Sequence, residues 1–135
     1  MDNSQRIQYT IDRFAAAKIS ITAEMADKLV RLCDFMVEYN ENVNLTSITE
    51  FEEVVDKHFV DSVLPFFMVE IPEGSSFIDV GTGAGFPALP LLIVRPDLKG
   101  TLCDSLNKRC VYLEKACELV GIHAEIIHAR SEELG

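Results

Sequence analysis

The sequence predicts an α/β fold, in which an N-terminal helical region precedes about three parallel strands that alternate with helices in the Rossmann-like manner. Three observations predict it. The hydrophobic period changes from helical to strand-like near Pro65, and short apolar runs alternate with amphipathic stretches from residue 76 onward. The first of those runs leads directly into glycines at alternate positions, 81, 83 and 85.

In the first region Ile7, Ile11, Phe14 and Ala15 recur at helical spacing, as do Met25, Leu29, Leu32, Cys33 and Met36, with Thr22 placed to cap the second helix. Residues 40–47, Asn-Glu-Asn-Val-Asn-Leu-Thr-Ser, form an amide-rich connector whose side chains can cap, turn or bind. A third helix is expected to open at Thr49, where Thr-Glu-Phe-Glu sets a glutamate three places after the cap. It should run through Val54, Val55, Phe59 and Val63 and stop at Pro65. Beyond it come a strand at Ser76 to Val80, a short helix at Ala88 to Val94 stopped by Pro96, and a strand at Thr101 to Asp104. A helix from Asn107 to Val120 closed by Gly121 and a strand from Ala124 to His128 complete the pattern. The expected division is a helical region at 1–65 and a sheet region at 66–135.

Composition narrows the function classes. The 135 residues are 48% apolar, enough for one packed core, and hold no apolar run near the length of a membrane span. A polar start at Met1 to Gln5 is unlike a secretion signal, so the cytoplasm is the expected compartment. The four cysteines, at 33, 103, 110 and 117, read as reduced core thiols, and neither they nor His58, His123 and His128 show the close pairs of a metal site, so no metal is expected. The net charge of −10 opposes a nucleic-acid partner. It is uneven, however: residues 1–75 carry 14 acidic and 6 basic side chains, whereas 76–135 carry 8 and 6, so an RNA-facing patch fits best in the second half.

The stretch with the most chemistry is Phe77-Ile-Asp-Val-Gly-Thr-Gly-Ala-Gly-Phe-Pro87. A strand that runs into three glycines and then a helix is a site of close backbone approach: side chains at Gly81, Gly83 and Gly85 would occupy the space of a ligand and restrict the turn. A dinucleotide fingerprint would need glycine at 86, where the chain has Phe86 and then Pro87. Asp79 would also sit badly beside a pyrophosphate, whereas the sulfonium and ammonium of S-adenosylmethionine suit a carboxylate. Asp104, nineteen residues after Gly85, can accept both hydroxyls of an adenosine ribose, or it can act as a cap before Ser105. Asp79 in turn can cap the glycine turn. Residues 129–133, Ala-Arg-Ser-Glu-Glu, either contact the adenine or start a helix.

These residues together resemble a known family, the bacterial small-subunit ribosomal RNA guanine-N7 methyltransferases, also called glucose-inhibited division protein B. The resemblance covers Asn44-Leu-Thr-Ser47, Lys57-His-Phe-Val-Asp-Ser62, the glycine loop, Ile93-Val-Arg-Pro96, Asp104-Ser-Leu-Asn-Lys-Arg109 and Arg130-Ser-Glu-Glu133. It implies the class I S-adenosylmethionine-dependent methyltransferase fold, with only its first half, about three strands, present in this chain. It implies cofactor contacts at Gly81, Phe86, Ser131 and Glu132, with Asp104 near the ribose, and 16S ribosomal RNA in the small subunit as partner. Phe86 would pack on the cofactor's apolar body or serve the core.

His58 and Asp61, three apart on the expected third helix, would share a face over the cofactor mouth or at the RNA, unless the histidine is simply buried beside its helical neighbour. Lys108 and Arg109 are candidate phosphate contacts or ordinary solvated charges. No catalytic acid or base is nominated, because guanine N7 already offers a lone pair.

Members of that family are longer, so the chain is expected to be a truncated and inactive piece. Its strands, ordered 3-2-1, would leave strand 76–80 as an open edge along which the chain self-associates or is marginally stable. Two other functions fit the residues: a methyltransferase of small molecules or proteins, or a non-catalytic nucleoside-binding or interaction module.

Overall fold

The computed structural model describes residues 1–41 and 43–130. Helix α1 spans Asn3–Ala16 and α2 spans Ala23–Tyr39. Thr22 caps α2 as expected, its side chain accepting the amide of Met25 at 3.1 Å. Asp2 and Gln5 form a reciprocal capping box on α1.

The third helix departs from expectation. It opens as one turn, α3 (Phe51–Glu53), with Glu50 and not Thr49 at the cap position and no side-chain cap bond. It then winds as a π-helix over Val54–Val60, in which the Asp61 amide donates to the Asp56 carbonyl, and resumes as α4 (Asp61–Phe67). Pro65 therefore lies inside the helix instead of ending it. It is exposed and removes one donor near the helix end, where water can serve the freed carbonyl. Further up, Ser62 Oγ bonds the carbonyls of His58 and, at 3.2 Å, of Phe59.

The second region follows the pattern read from the sequence. Strand β1 is Ser76–Val80, α5 is Ala88–Val94, β2 is Lys99–Asp104, α6 is Asn107–Val120 and β3 is Ala124–His128. Gly121 closes α6 in the left-handed conformation, φ 71°. The strands are parallel, β2 lying between β1 and β3, with Asp79 opposite Leu102 and Asp104 opposite His128. This is the expected half of a Rossmann-like sheet, preceded by helices.

Helix α2 packs on both α5 and α6. The packing centres on three rings: Tyr112 of α6 stacks on Phe35 of α2 at 5.7 Å and meets Tyr39 at 5.2 Å. One hydrophobic core thus runs from Phe14, Leu29, Leu32 and Met36 through Val54 and Phe59 to Leu89, Leu102, Leu113 and Val120. Helix α1 is clamped to the π-helical segment by Arg13 Nε on Asp56 at 2.7 Å, and to α3 by Tyr9 against Phe51 at 5.9 Å. All four cysteines are free and buried.

Among the described strands β1 has β2 as its one partner, and its other edge is open. Ile78 and Val80 on β1 are 58% and 47% exposed. No helix of the described residues is long and apolar enough to cross a membrane.

Because the core crosses residue 65 without a break, Leu32→Ala should cost about 2–5 kcal/mol in urea unfolding. The helical signal in the far ultraviolet and the tyrosine signal in the near ultraviolet should fall together; two separate transitions would mean that 1–65 and 66–135 fold as independent units.

Candidate cofactor site

The carboxyl ends of the three strands bring their following loops to one edge of the sheet, where an open α/β sheet holds its ligands. Val80 leads into Gly81, Gly83 and Gly85, which adopt φ of 70°, 60° and 93°. All three lie in the left-handed region, which a residue with a side chain enters at a cost of roughly 1–2 kcal/mol. The amides of Gly81 and Thr82 donate to the Cys103 carbonyl at 2.9 and 3.2 Å, so the turn begins as an extension of the sheet.

The glycines divide into two kinds. Among the described residues a Cβ built at Gly81 or Gly83 meets no atom within 4 Å, whereas one at Gly85 lies 2.5 Å from Leu89 and 3.0 Å from Leu113. Gly85 is therefore bare because the core presses on it, and not, as the sequence suggested, to leave room for a ligand. Gly81 and Gly83 face open space in which bare backbone can take up a molecule. That open cradle fits the adenosine-bearing cofactor expected from the sequence.

Asp104 fixes the turn from the end of β2. Its side chain is 2% exposed, with Oδ2 accepting the Gly83 amide and Oδ1 the Leu106 amide, both at 2.9 Å. Its carbonyl takes the amide of Ala129, after β3, at 3.0 Å. One residue thereby ties all three edge loops together. It is not the N-cap of α6, a position held by Leu106 without a side-chain bond. Each carboxylate oxygen has a second acceptor position, which at 2% exposure a ribose hydroxyl reaches only if the residues covering it, Arg109 among them, move aside.

Asp79 caps the same turn. Its Oδ2 accepts the Thr82 hydroxyl at 3.0 Å. Burial pushes its carboxyl above the usual range, against the hydrogen bonds from Thr82 and from the Ala88 amide that pull it down. Ala84, next in the turn, has its carbonyl held by the buried Tyr112 hydroxyl at 3.2 Å. Neither Thr82 nor Tyr112 stood out in the sequence, since each acts through a partner that only the fold supplies. Leu106, 50% exposed beside Asp104, adds apolar surface that no pattern in the sequence marks.

Phe86 is half-buried and sandwiched on the helical region: its ring lies 4.5 Å from that of His58 at 14°, and Phe59 meets it edge-on at 6.1 Å. His58 and Asp61 differ in their surroundings. The π-winding before residue 61 changes their angular offset, so His58 is half-buried against Phe86 and Asp61 is exposed. Lys108 is exposed at the start of α6. Arg109 instead turns inward, Nη1 3.8 Å from Asp104 Oδ1, and its buried Nε has no hydrogen-bond partner among the described residues. Ser131 and Glu132 lie outside the described residues. A cavity of about 690 Å³ lined by Ser76, Lys99, His123 and Glu125 sits at the opposite, amino-terminal edge of the sheet and includes no residue of the glycine turn.

Residues 25–135 match the family model described as rRNA small subunit methyltransferase G. The chain belongs to this family. A Clostridium beijerinckii protein named ribosomal RNA small subunit methyltransferase G is 43% identical over 116 residues, which is 85% of this chain and 48% of that protein. Its namesake in Lactococcus lactis is 41% identical over 132 residues, 93% of this chain and 56% of its own length, and that in Thermoanaerobacter sp. is 50% identical over 101 residues, 74% and 42%. The chain thus spans about half the length of the curated relatives it matches. The part shared with the methyltransferase G family includes the connector, the π-helical segment, the glycine turn and Asp104.

Removal of the Asp104 carboxylate should be felt first as lost stability. Asp104→Ala leaves the Gly83 and Leu106 amides without their acceptor, at about 1–3 kcal/mol for each that stays buried. Chemical denaturation measures this, and an unchanged midpoint would show that Asp104 does not hold the turn.

Proposed function

We propose that the carboxyl edge of this sheet binds S-adenosylmethionine, and that the full-length activity is methylation of guanine N7 in 16S ribosomal RNA of the small ribosomal subunit, in the cytoplasm. The observation that carries the cofactor reading is the open, left-handed backbone at Gly81 and Gly83 beside two carboxylates, Asp79 and Asp104. The family match supports the substrate reading.

In this proposal Asp79 faces the cationic end of the cofactor across the turn, and Asp104 offers its spare lone pairs to the ribose. Leu106 supplies apolar surface for the base, Phe86 packs on the cofactor's apolar body, and Ser131 and Glu132 are further contacts that the family resemblance implies. When bound, the cofactor supplies the reactive methyl carbon and its own leaving group. The chain's residues need only align the two reactants and exclude water, because N7 attacks with a lone pair that the neutral base already presents at its edge. Lys108, at the same edge, is the nearest candidate for an RNA phosphate; Arg109, already turned to Asp104, is a weaker one. Asp61, exposed on the helical side, is a candidate RNA contact.

The net charge of −10 favours a second reading, a methyltransferase of a smaller acceptor. A protein of the relatives' length that methylates small molecules but leaves small ribosomal subunits untouched would establish it.

Calorimetry with S-adenosylmethionine and S-adenosylhomocysteine tests the cofactor site. Gly83→Ala and Gly74→Ala impose the same left-handed strain, φ 60° and 77°, with open space around each Cβ, but Gly74 lies outside the turn. Both variants should lose roughly 1–2 kcal/mol of stability, and Gly83→Ala alone should weaken binding, by about tenfold or more. Equal binding by the two would remove the glycine turn from the site.

The open β1 edge, with Ile78 and Val80 exposed, supports a lesser proposal, that two copies of this chain pair along it. Sedimentation should show a concentration-dependent dimer that Ile78→Lys abolishes; a monomer at all concentrations would refute it.

A further inference from the structure

The connector and the π-helical segment hold a hydrogen-bonded chain that ends on the cofactor turn. Asn40 Oδ1 accepts the amides of Leu45 and Thr46 at 2.8 and 3.0 Å and so fixes the connector's fold. Thr46 Oγ1 accepts the Ile48 amide at 3.0 Å and lies 2.7 Å from His58 Nε2. With the amide bond made, the hydroxyl has its own proton to give to an unprotonated Nε2. Burial favours that neutral ring by lowering the affinity of His58 for a second proton. The ring then lies flat on Phe86, the residue after Gly85.

We propose that His58 is a positioning residue: held by Thr46, its ring sets Phe86 against the glycine turn, so that the order of connector 40–48 and the occupancy of the cofactor site are coupled. The proposal rests on the cofactor reading given above. Four features favour this role over a plain core histidine. One ring nitrogen is spent on a specific hydroxyl, and the stack at 14° uses the whole ring face. The segment that carries His58 departs from α-helical winding at this point, a distortion often found at functional positions. Finally, Asn44 and Ser47 are exposed on the connector, where a polar substrate that orders the loop would also order Phe86. By linkage, the methyl donor would then strengthen binding at the connector by the same factor.

Three variants separate the parts of the chain. Thr46→Val removes the bond and keeps the ring, His58→Phe keeps a flat ring without the bond, and His58→Ala removes both. In amide spectra of the ligand-free chain, Thr46→Val should move the Gly85 and Phe86 resonances; changes confined to residues 40–58 would overturn the link. In calorimetry with S-adenosylhomocysteine, His58→Ala should bind about tenfold more weakly, and His58→Phe and Thr46→Val, which each keep a ring without the bond, should fall between it and the wild type. Wild-type binding with equal affinity in His58→Ala would refute the positioning role and leave the cofactor reading standing. A wild-type chain that binds no cofactor would refute that reading, and the amide shifts would still decide whether Thr46 and the turn are linked.

Discussion

The buried carboxylate of Asp104 is the constraint on which the candidate site depends. It sits at the end of the central strand, and its two oxygens are met by amides from the turn after β1 and from the segment after β2. A turn built from three left-handed glycines has little reason of its own to hold one shape. Charge-assisted bonds to a fixed acceptor, stronger than those between neutral groups, supply that reason. The Ala129 amide on the Asp104 carbonyl extends the same anchor to the third loop. These bonds together give the turn and its neighbouring loops one shared acceptor residue.

Around that anchor the work is divided among residues by what surrounds them. Gly85 gives way to the core, which presses Leu89 and Leu113 onto it, while Gly81 and Gly83 face open space. Asp79 and Thr82 close the turn from β1, and Tyr112 reaches up from α6 to hold its middle. Because Tyr112 also stacks on Phe35 of α2, the helical region and the turn share one packed body. The N-terminal helices are thus a wall of the site through Phe86, Phe59 and His58, and are joined to it mechanically as well as by sequence.

What the sequence made legible was what is decided locally. The strands, the helix from Asn107 to Val120 and its Gly121 stop, and the Thr22 cap all follow from side-chain period and from caps within three or four residues. The π-helical winding was not legible: no local period or cap announces it, and the contacts that His58 and Phe59 of that segment make with Phe86 lie 27 or more residues away in the chain. The same winding separates the surroundings of His58 and Asp61, whose three-residue spacing implies a shared face only in a regular α-helix. Pro65 misled because a proline near a helix end costs one bond, not the helix. At Asp104 the alternatives of ribose acceptor and helix cap missed a third partner, the Gly83 amide 21 residues earlier, which no local pattern announces.

The glycine turn anchored by Asp104 is the seat we propose for an adenosine-bearing sulfonium. A crystal of this chain grown with S-adenosylhomocysteine tests it most directly. The ligand should lie at the carboxyl edge, against the backbone of Gly81 and Gly83 with its ribose at Asp104. Ligand density at the amino-terminal cavity of Ser76, Lys99 and His123 instead, with the turn bare, would contradict it.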